Sequence, residues 1–245
     1  MKLGDRIFAL AHLWVQFPEY RAFILDQKEQ GKFITLDNSA AERALVTEDI
    51  LIEICRELMP DEVIAPDVLF NKDETISNAT TFRDRMEEEG LLGTIDIFFC
   101  PQGENKQHWL DAYQWGLAQD FINVIGFSKI AVPNAWLDNY TDDQGIKEAR
   151  HMAYDYLKDK GLLLKPIHCL GQGDPTEFAY YTHPMMRSTD SVYPVYAASL
   201  GQDFTVDHTT RTPTPHNFLE TFDMSNVDMD LVNSNIHFVK NQAHG

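Results

Sequence analysis

Only three cysteines occur in 245 residues, Cys55, Cys100 and Cys169, and none of them forms a CxxC pair. An odd number at such wide spacing makes no disulfide framework, and it fits a reducing cytoplasm. No apolar run nears the ~20 residues needed to cross a bilayer. The stretch at residues 6–13 lacks a small-residue cleavage site, and Glu19 and Arg21 follow soon after, so it reads as a first strand and not as a signal peptide. Basic residues are scarce: Lys and Arg number 20 against 38 Asp and Glu, a formal net charge of −18. That charge excludes coating a nucleic acid by bulk attraction, though not a local basic groove. Neither GxGxxG nor GxxxxGK[ST] follows the first apolar run, so the usual dinucleotide and P-loop readings fail.

What is present is a hydrophobic fraction of 44% and enough length for one sizeable core. Short apolar runs alternate with amphipathic ones at a spacing near 30 residues. Strands are expected at 6–13, 32–36, 62–65, 94–100, 123–125, 165–170 and 187–191. Helices are expected at 18–30, 47–59, 73–89, 105–119, 143–160 and 192–200. Thr47 is the expected N-cap of one helix, and Asp174-Pro175-Thr176-Glu177 reads as the start of another. The stretch at 203–226, rich in Thr, Pro and His, reads mostly as loop. A last helix is expected at 227–242, capped by Ser225. This βα period builds a parallel sheet, closed as a barrel or open and doubly wound. The reading taken here is a compact (β/α)8 TIM-like barrel, one α/β domain over residues 1–245.

In such a barrel the chemistry sits at the C-terminal ends of the strands. Those positions hold His12, Asp37 with Asn38 and Ser39, Asp67, Gln102 with Gly103, Gly126 with Phe127 and Ser128, Gly171, and Asp190. A lone strand-end Asp often does no more than cap a turn. Three of them with a Gln on one rim point to a site.

These residues resemble a family. Leu36-Asp37-Asn38-Ser39-Ala40-Ala41-Glu42 is similar to the active-site aspartate segment of the tRNA-guanine transglycosylases, and Pro66-Asp67-Val68 to their base-recognising aspartate. Pro101-Gln102-Gly103 resembles their Gln-Gly turn, and Ile125-Gly126-Phe127-Ser128 lies where their base-binding turn falls. His168-Cys169-Leu170-Gly171-Gln172-Gly173 resembles the strand and turn that follow. Arg187-Ser188-Thr189-Asp190-Ser191-Val192-Tyr193-Pro194 resembles the segment of the nucleophile. The resemblance covers about residues 33–201. It is closest to the branch in phages and bacterial gene clusters that inserts 7-deazaguanines into DNA. Two features depart from the family: no cysteine follows Cys169, so its zinc-binding insertion is lacking, and Ala40-Ala41-Glu42 replaces a Gly-Gly-aromatic-Gln run.

The resemblance implies a base-exchange glycosyltransferase that replaces guanine in DNA by 7-cyano-7-deazaguanine or a derivative. Asp190 is then the nucleophile and Asp37 the general acid and base. Asp67, Gln102, Gly103, Gly126, Phe127, Ser128, Gly171 and Ser39 would line the base pocket. No cofactor and no metal are required. With so acidic a chain, DNA contact falls to local cations, with Lys129, Arg187 and Arg211 as candidates. The alternatives are a related enzyme acting on tRNA and a non-catalytic barrel subunit, and a plain N-glycosidase is a further option. His12 would line the pocket or stay structural. Asp207, His208 and His216 offer metal donors at a spacing that fits no common template. Trp109, Tyr113 and Trp115 read as packing; Tyr180, Tyr181 and Tyr193 offer faces for stacking a base.

Overall fold

The computed structural model describes residues 6–41, 46–137, 143–215, 218–221, 223 and 227–242. Among them the βα alternation produces one sheet of seven strands in chain order: β1 (Arg6–Leu10), β2 (Phe33–Asp37), β3 (Glu62–Ile64), β4 (Asp96–Phe99), β5 (Ile122–Ser128), β6 (Ile167–Leu170) and β7 (Met186–Thr189). Every neighbouring pair is parallel. The connections carry α1 (Ala11–Gln16), α2 (Pro18–Glu29), α3 (Glu48–Leu58), α4 (Lys72–Glu88), α5 (Lys106–Ala118), α6 (Ala131–Trp136), α7 (Asp143–Asp159) and α8 (Tyr193–Ser199). Short α9 (Phe218–Thr221) and α10 (Met229–Gln242) follow.

The sheet is curled. Phe8 on β1 stacks on His168 of β6, and Arg187 on β7 reaches Glu62 of β3. The described residues supply seven strands where eight were expected, and the architecture is an α/β fold compatible with a TIM-like barrel.

Curling divides the core in two. Ile64, Phe98, Cys100 and Val124, with Phe8 and Leu170 against them, fill the inside. Ile34, Leu36, Ile97, Phe99, Ile125 and Phe127 join the larger core between sheet and helices. The inside also holds charge. Glu62, fully buried, is gripped by both terminal nitrogens of Arg187 and accepts a hydrogen bond from Thr35 Oγ1 at 2.9 Å.

Local chemistry sets the helix ends. Thr47 Oγ1 accepts from the Ile50 amide at 3.3 Å, as expected of an N-cap, and Met59 in the left-handed region (φ 47°) closes α3. Asn71 and Asn105 cap α4 and α5 in the same way.

Several expectations are corrected. The first strand stops at Leu10, and His12 stands on α1. Asp174 to Glu177 starts only a 3-10 turn (Glu177–Tyr180), because the Glu177 carboxylate is drawn to buried Arg150 and does not return to a helix end. Residues 203–226 are mostly loop among those described, as expected, with short α9 near their end. Ser225 lies outside the described residues; Asp228 Oδ1 accepts from the Asp230 and Leu231 amides at the start of α10.

Candidate active site

The C-terminal ends of the strands bring Asp37, Asp67 and Asp190 to one rim. The charges of all three bear on the Cys100 thiol just beyond β4, which burial and then those charges push well above its ordinary value.

Asp190 follows β7. Its Oδ1 accepts from the Gly171 backbone amide at 2.9 Å and from His168 Nε2 at 3.0 Å. Its backbone carbonyl accepts from the Gln172 amide at 2.8 Å, which locks the two loops together. Burial alone would raise this carboxyl. The hydrogen bond and attraction of His168, the Gly171 N–H and the Lys129 ammonium outweigh it and hold Asp190 below the usual carboxylate range. The side chain keeps about a quarter of its surface open (26%), so an ionised oxygen faces the rim. Gly171 is placed by backbone geometry: its φ of 68° suits glycine, and a Cβ there would strike the Lys129 stem at 2.6 Å.

Asp67 follows β3. Asn38 Nδ2 donates to one oxygen at 2.7 Å and Gln102 Nε2 to the other at 2.5 Å. Neither amide can turn round. Gln102 Oε1 already accepts from the Phe70 amide at 3.1 Å, and Asn38 Oδ1 from the Ala40 amide at 2.9 Å. Burial nonetheless dominates and pushes the Asp67 carboxyl up to about 6, against the two hydrogen bonds. Asp37 ends β2, is buried, and accepts from the Ser39 amide at 3.2 Å.

Not every expected pocket residue faces the rim. Phe127 points into the outer core, edge-on to Trp109 and Tyr113. Ser128 Oγ accepts from the Ile130 and Ala131 amides and serves the turn into α6. At Gly126 the missing side chain is filled by Cys100 Sγ, which would lie 2.6 Å from a Cβ, and by Phe98; its role is close packing. Gly103 gives room to the α5 backbone. Ser39 is buried with φ 62°, and its hydroxyl meets the His12 amide and Nδ1 at 3.2 and 2.9 Å, so both residues tie β1 to β2.

The cations divide likewise. Lys129 is exposed beside Asp190. Arg187 is turned away from the rim to Glu62, which corrects its expected contact with phosphate. β7 is irregular at this point: Met186 pairs with Ile167 but Ser188 with His168, so the intervening Arg187 is re-aimed. Arg211 lies over the Tyr193 ring, 3.5 Å from its centroid. Asp207 is spent on the Thr209 and Thr210 amides and His208 leans on Phe238; His216 lies outside the described residues. Tyr180 and Tyr181 pack around His151 and Tyr154. Among the described residues no group of three or more His, Cys, Asp or Glu is placed to hold a metal ion.

Sequence reasoning gave no role to three contributors. Asn38 was placed on the rim beside Asp37, and His168 stood inside a quoted motif, without a contact being assigned to either. Arg150 on α7 gave no signal; it is fully buried, pairs with Glu177 at 3.2 Å and donates to the Leu170 carbonyl, fixing the end of β6 beside Gly171.

No protein-family model matches the chain, and no curated protein is similar to it. An ionised carboxylate with one oxygen pinned, a buried carboxyl and an amide-flanked carboxyl share one rim, and that set can perform nucleophilic and acid–base chemistry on a polar ring.

Proposed function

We propose that the chain is a base-exchange glycosyltransferase acting on DNA, replacing guanine by a 7-deazaguanine. The observation that carries this reading is the division of labour among the three rim carboxyls: Asp190 held ionised, Asp37 buried, and Asp67 flanked by Asn38 and Gln102. The motif resemblance, from which these roles are taken, points the same way.

In this reading Asp190 Oδ2 attacks C1′ of the nucleotide, the C1′–N9 bond breaks, and Asp37 delivers a proton to the departing guanine. The incoming base gives its proton to Asp37 and attacks C1′ from the original side, freeing the Asp190 carboxylate. The two-step path keeps the sugar from water. Each Asp67 oxygen retains a lone pair beyond its amide bond, and the pair can accept from the N1–H and exocyclic amine of a guanine-like ring. Exposed Lys129 supplies local attraction for a phosphate, which a chain of charge −18 needs. A duplex guanine must leave the stack to bring C1′ to Asp190, at a cost of a few kcal/mol.

Incubation with labelled guanine and duplex DNA tests the proposal. Label entering DNA supports it. Base loss without label points to an N-glycosidase, label entering tRNA instead moves the substrate, and silence removes the enzymatic reading.

A further inference from the structure

His168 is 5% exposed and stands in the middle of the curled sheet, where an apolar side chain would fit. Its ring stacks on Phe8 (centroids 5.6 Å, planes 8° apart) and meets Phe98 edge-on at 5.6 Å. Two aromatic walls thus fix the ring plane. The two nitrogens fix its rotation: Nε2 lies 3.0 Å from Asp190 Oδ1 and Nδ1 lies 2.8 Å from Ser188 Oγ. Ser188 Oγ also accepts from Arg187 Nε at 3.2 Å, and Arg187 is itself anchored on Glu62. A chain of polar contacts therefore runs through the inside of the sheet, from Glu62 on β3 to Asp190 beyond β7. An ionised carboxylate only accepts, so the contact with Asp190 requires a hydrogen on Nε2.

We propose that His168 is the positioning residue of Asp190: it pins Oδ1, together with the Gly171 amide, so that Oδ2 alone is presented for attack. The inference rests on the transglycosylase reading for its kinetic consequence and on geometry alone for the hydrogen bond. Oδ1 has two donors, while the described residues give Oδ2 none. A carboxylate free to rotate would present either oxygen in many orientations. One held by two donors meets C1′ in a single geometry, and misplacement of a reacting group by about 1 Å costs on the order of 100-fold in rate. His168 touches no substrate in this scheme and carries no proton between reactants.

The test has two arms. In the first, ring nitrogen shifts of His168 are read by NMR on the free protein. A hydrogen on Nε2 is expected in the parent, with its signal changed in Asp190→Asn; a ring without hydrogen on Nε2, or one indifferent to Asp190→Asn, overturns the inference whatever the reaction proves to be. In the second, His168→Leu is compared with His168→Gln, which keeps an N–H donor. His168→Leu should lower the rate of covalent adduct formation about 100-fold with the KM for guanine unchanged, and His168→Gln should recover part of the loss. Equal losses in both, or a change confined to KM, overturn it. Should His168→Leu fail to fold, Ser188→Ala leaves ring and carboxylate in place but frees the rotation, and a fall in rate at constant KM is again expected; an unchanged rate overturns the inference. If the parent itself exchanges no base, the functional proposal falls while the NMR arm still decides the role of His168.

Discussion

Phe8 and His168 lie face to face, 5.6 Å between ring centroids, although they stand on β1 and β6. The contact brings the first strand over the sixth and turns a row of seven strands into a rim. The charges of Asp37, Asp67 and Asp190 then all bear on Cys100.

Asp190→Asn should abolish a covalent enzyme–DNA adduct, since an amide is a poor nucleophile. Asp37→Asn should slow exchange while still letting an adduct accumulate. Denaturing gels with DNA and a competing base read both outcomes. A normal adduct yield from the Asp190 variant removes it from the nucleophile role.

Guanine binding should weaken in mild acid. Asp67 accepts from the base only when ionised, and its carboxyl sits at about 6. Below that pH the KM for guanine should rise about tenfold per unit, with much less change in kcat. The sign for stability is the reverse. Between about 6 and the ordinary value of 3.8 the folded state binds a proton that the unfolded chain does not, so the contribution of Asp67 to stability grows as pH falls through that window. Isotherms from pH 5 to 8 check the first claim, and denaturant melts from about pH 7 down to about pH 4 check the second. Asp67→Asn should not mimic the protonated acid well, because its NH2 must face the fixed amide of Asn38 or Gln102.

Lys129→Ala and Arg187→Ala should part company. Parent binding to duplex DNA should show a log–log salt slope of about −1 to −2, one or two neutralised phosphates, and Lys129→Ala should make it shallower by about 0.9. Arg187→Ala should leave the slope alone and cost about 3–5 kcal/mol of stability, because it strands the Glu62 carboxylate with Thr35 and a more distant Arg6 at 3.8 Å. Binding across salt concentrations and urea melts separate the two effects. A shallower slope for Arg187→Ala would restore it to the DNA surface.

Arg150→Met should destabilise by about 3–5 kcal/mol, since it leaves Glu177 buried without its partner. Arg150→Met with Glu177→Gln should recover much of that loss. Urea melts of the single and double variants measure it, and a loss that is the same in both would show that the ion pair is not its source.

The period of the fold was legible because each parallel strand, covered on both faces, reads as a short apolar run ended by Asp, Pro or Gly. Leu36-Asp37 and Ile64-Ala65-Pro66-Asp67 announced two rim carboxyls in that way. What a sequence does not display is the direction of a side chain where pairing slips. Arg187 is the first residue of the expected strand, yet the irregularity between β6 and β7 sends it to the opposite end of the sheet from Asp190. Phe127 was misplaced for a related reason: adjacent residues of a strand serve opposite faces, and its neighbour Gly126 already takes the inner one, against Cys100 and Phe98. Arg150 could not be found at all, because its partners Glu177 and Leu170 are brought to it only by the folded chain.

The Glu62–Arg187 pair joins residues 125 apart in the chain. On the ribosome, at roughly 5–20 residues per second, Glu62 must wait about 6–25 s before its guanidinium has been made. Until then the floor of the half-built sheet carries a buried carboxylate held only by Thr35 and the more distant Arg6, so the nascent amino-terminal half has reason to stay loose. The fastening of the fold is thereby deferred to its last strand, the same strand that leads into Asp190. Limited proteolysis of stalled nascent chains should accordingly show protection arriving abruptly, once β7 has emerged, and not strand by strand.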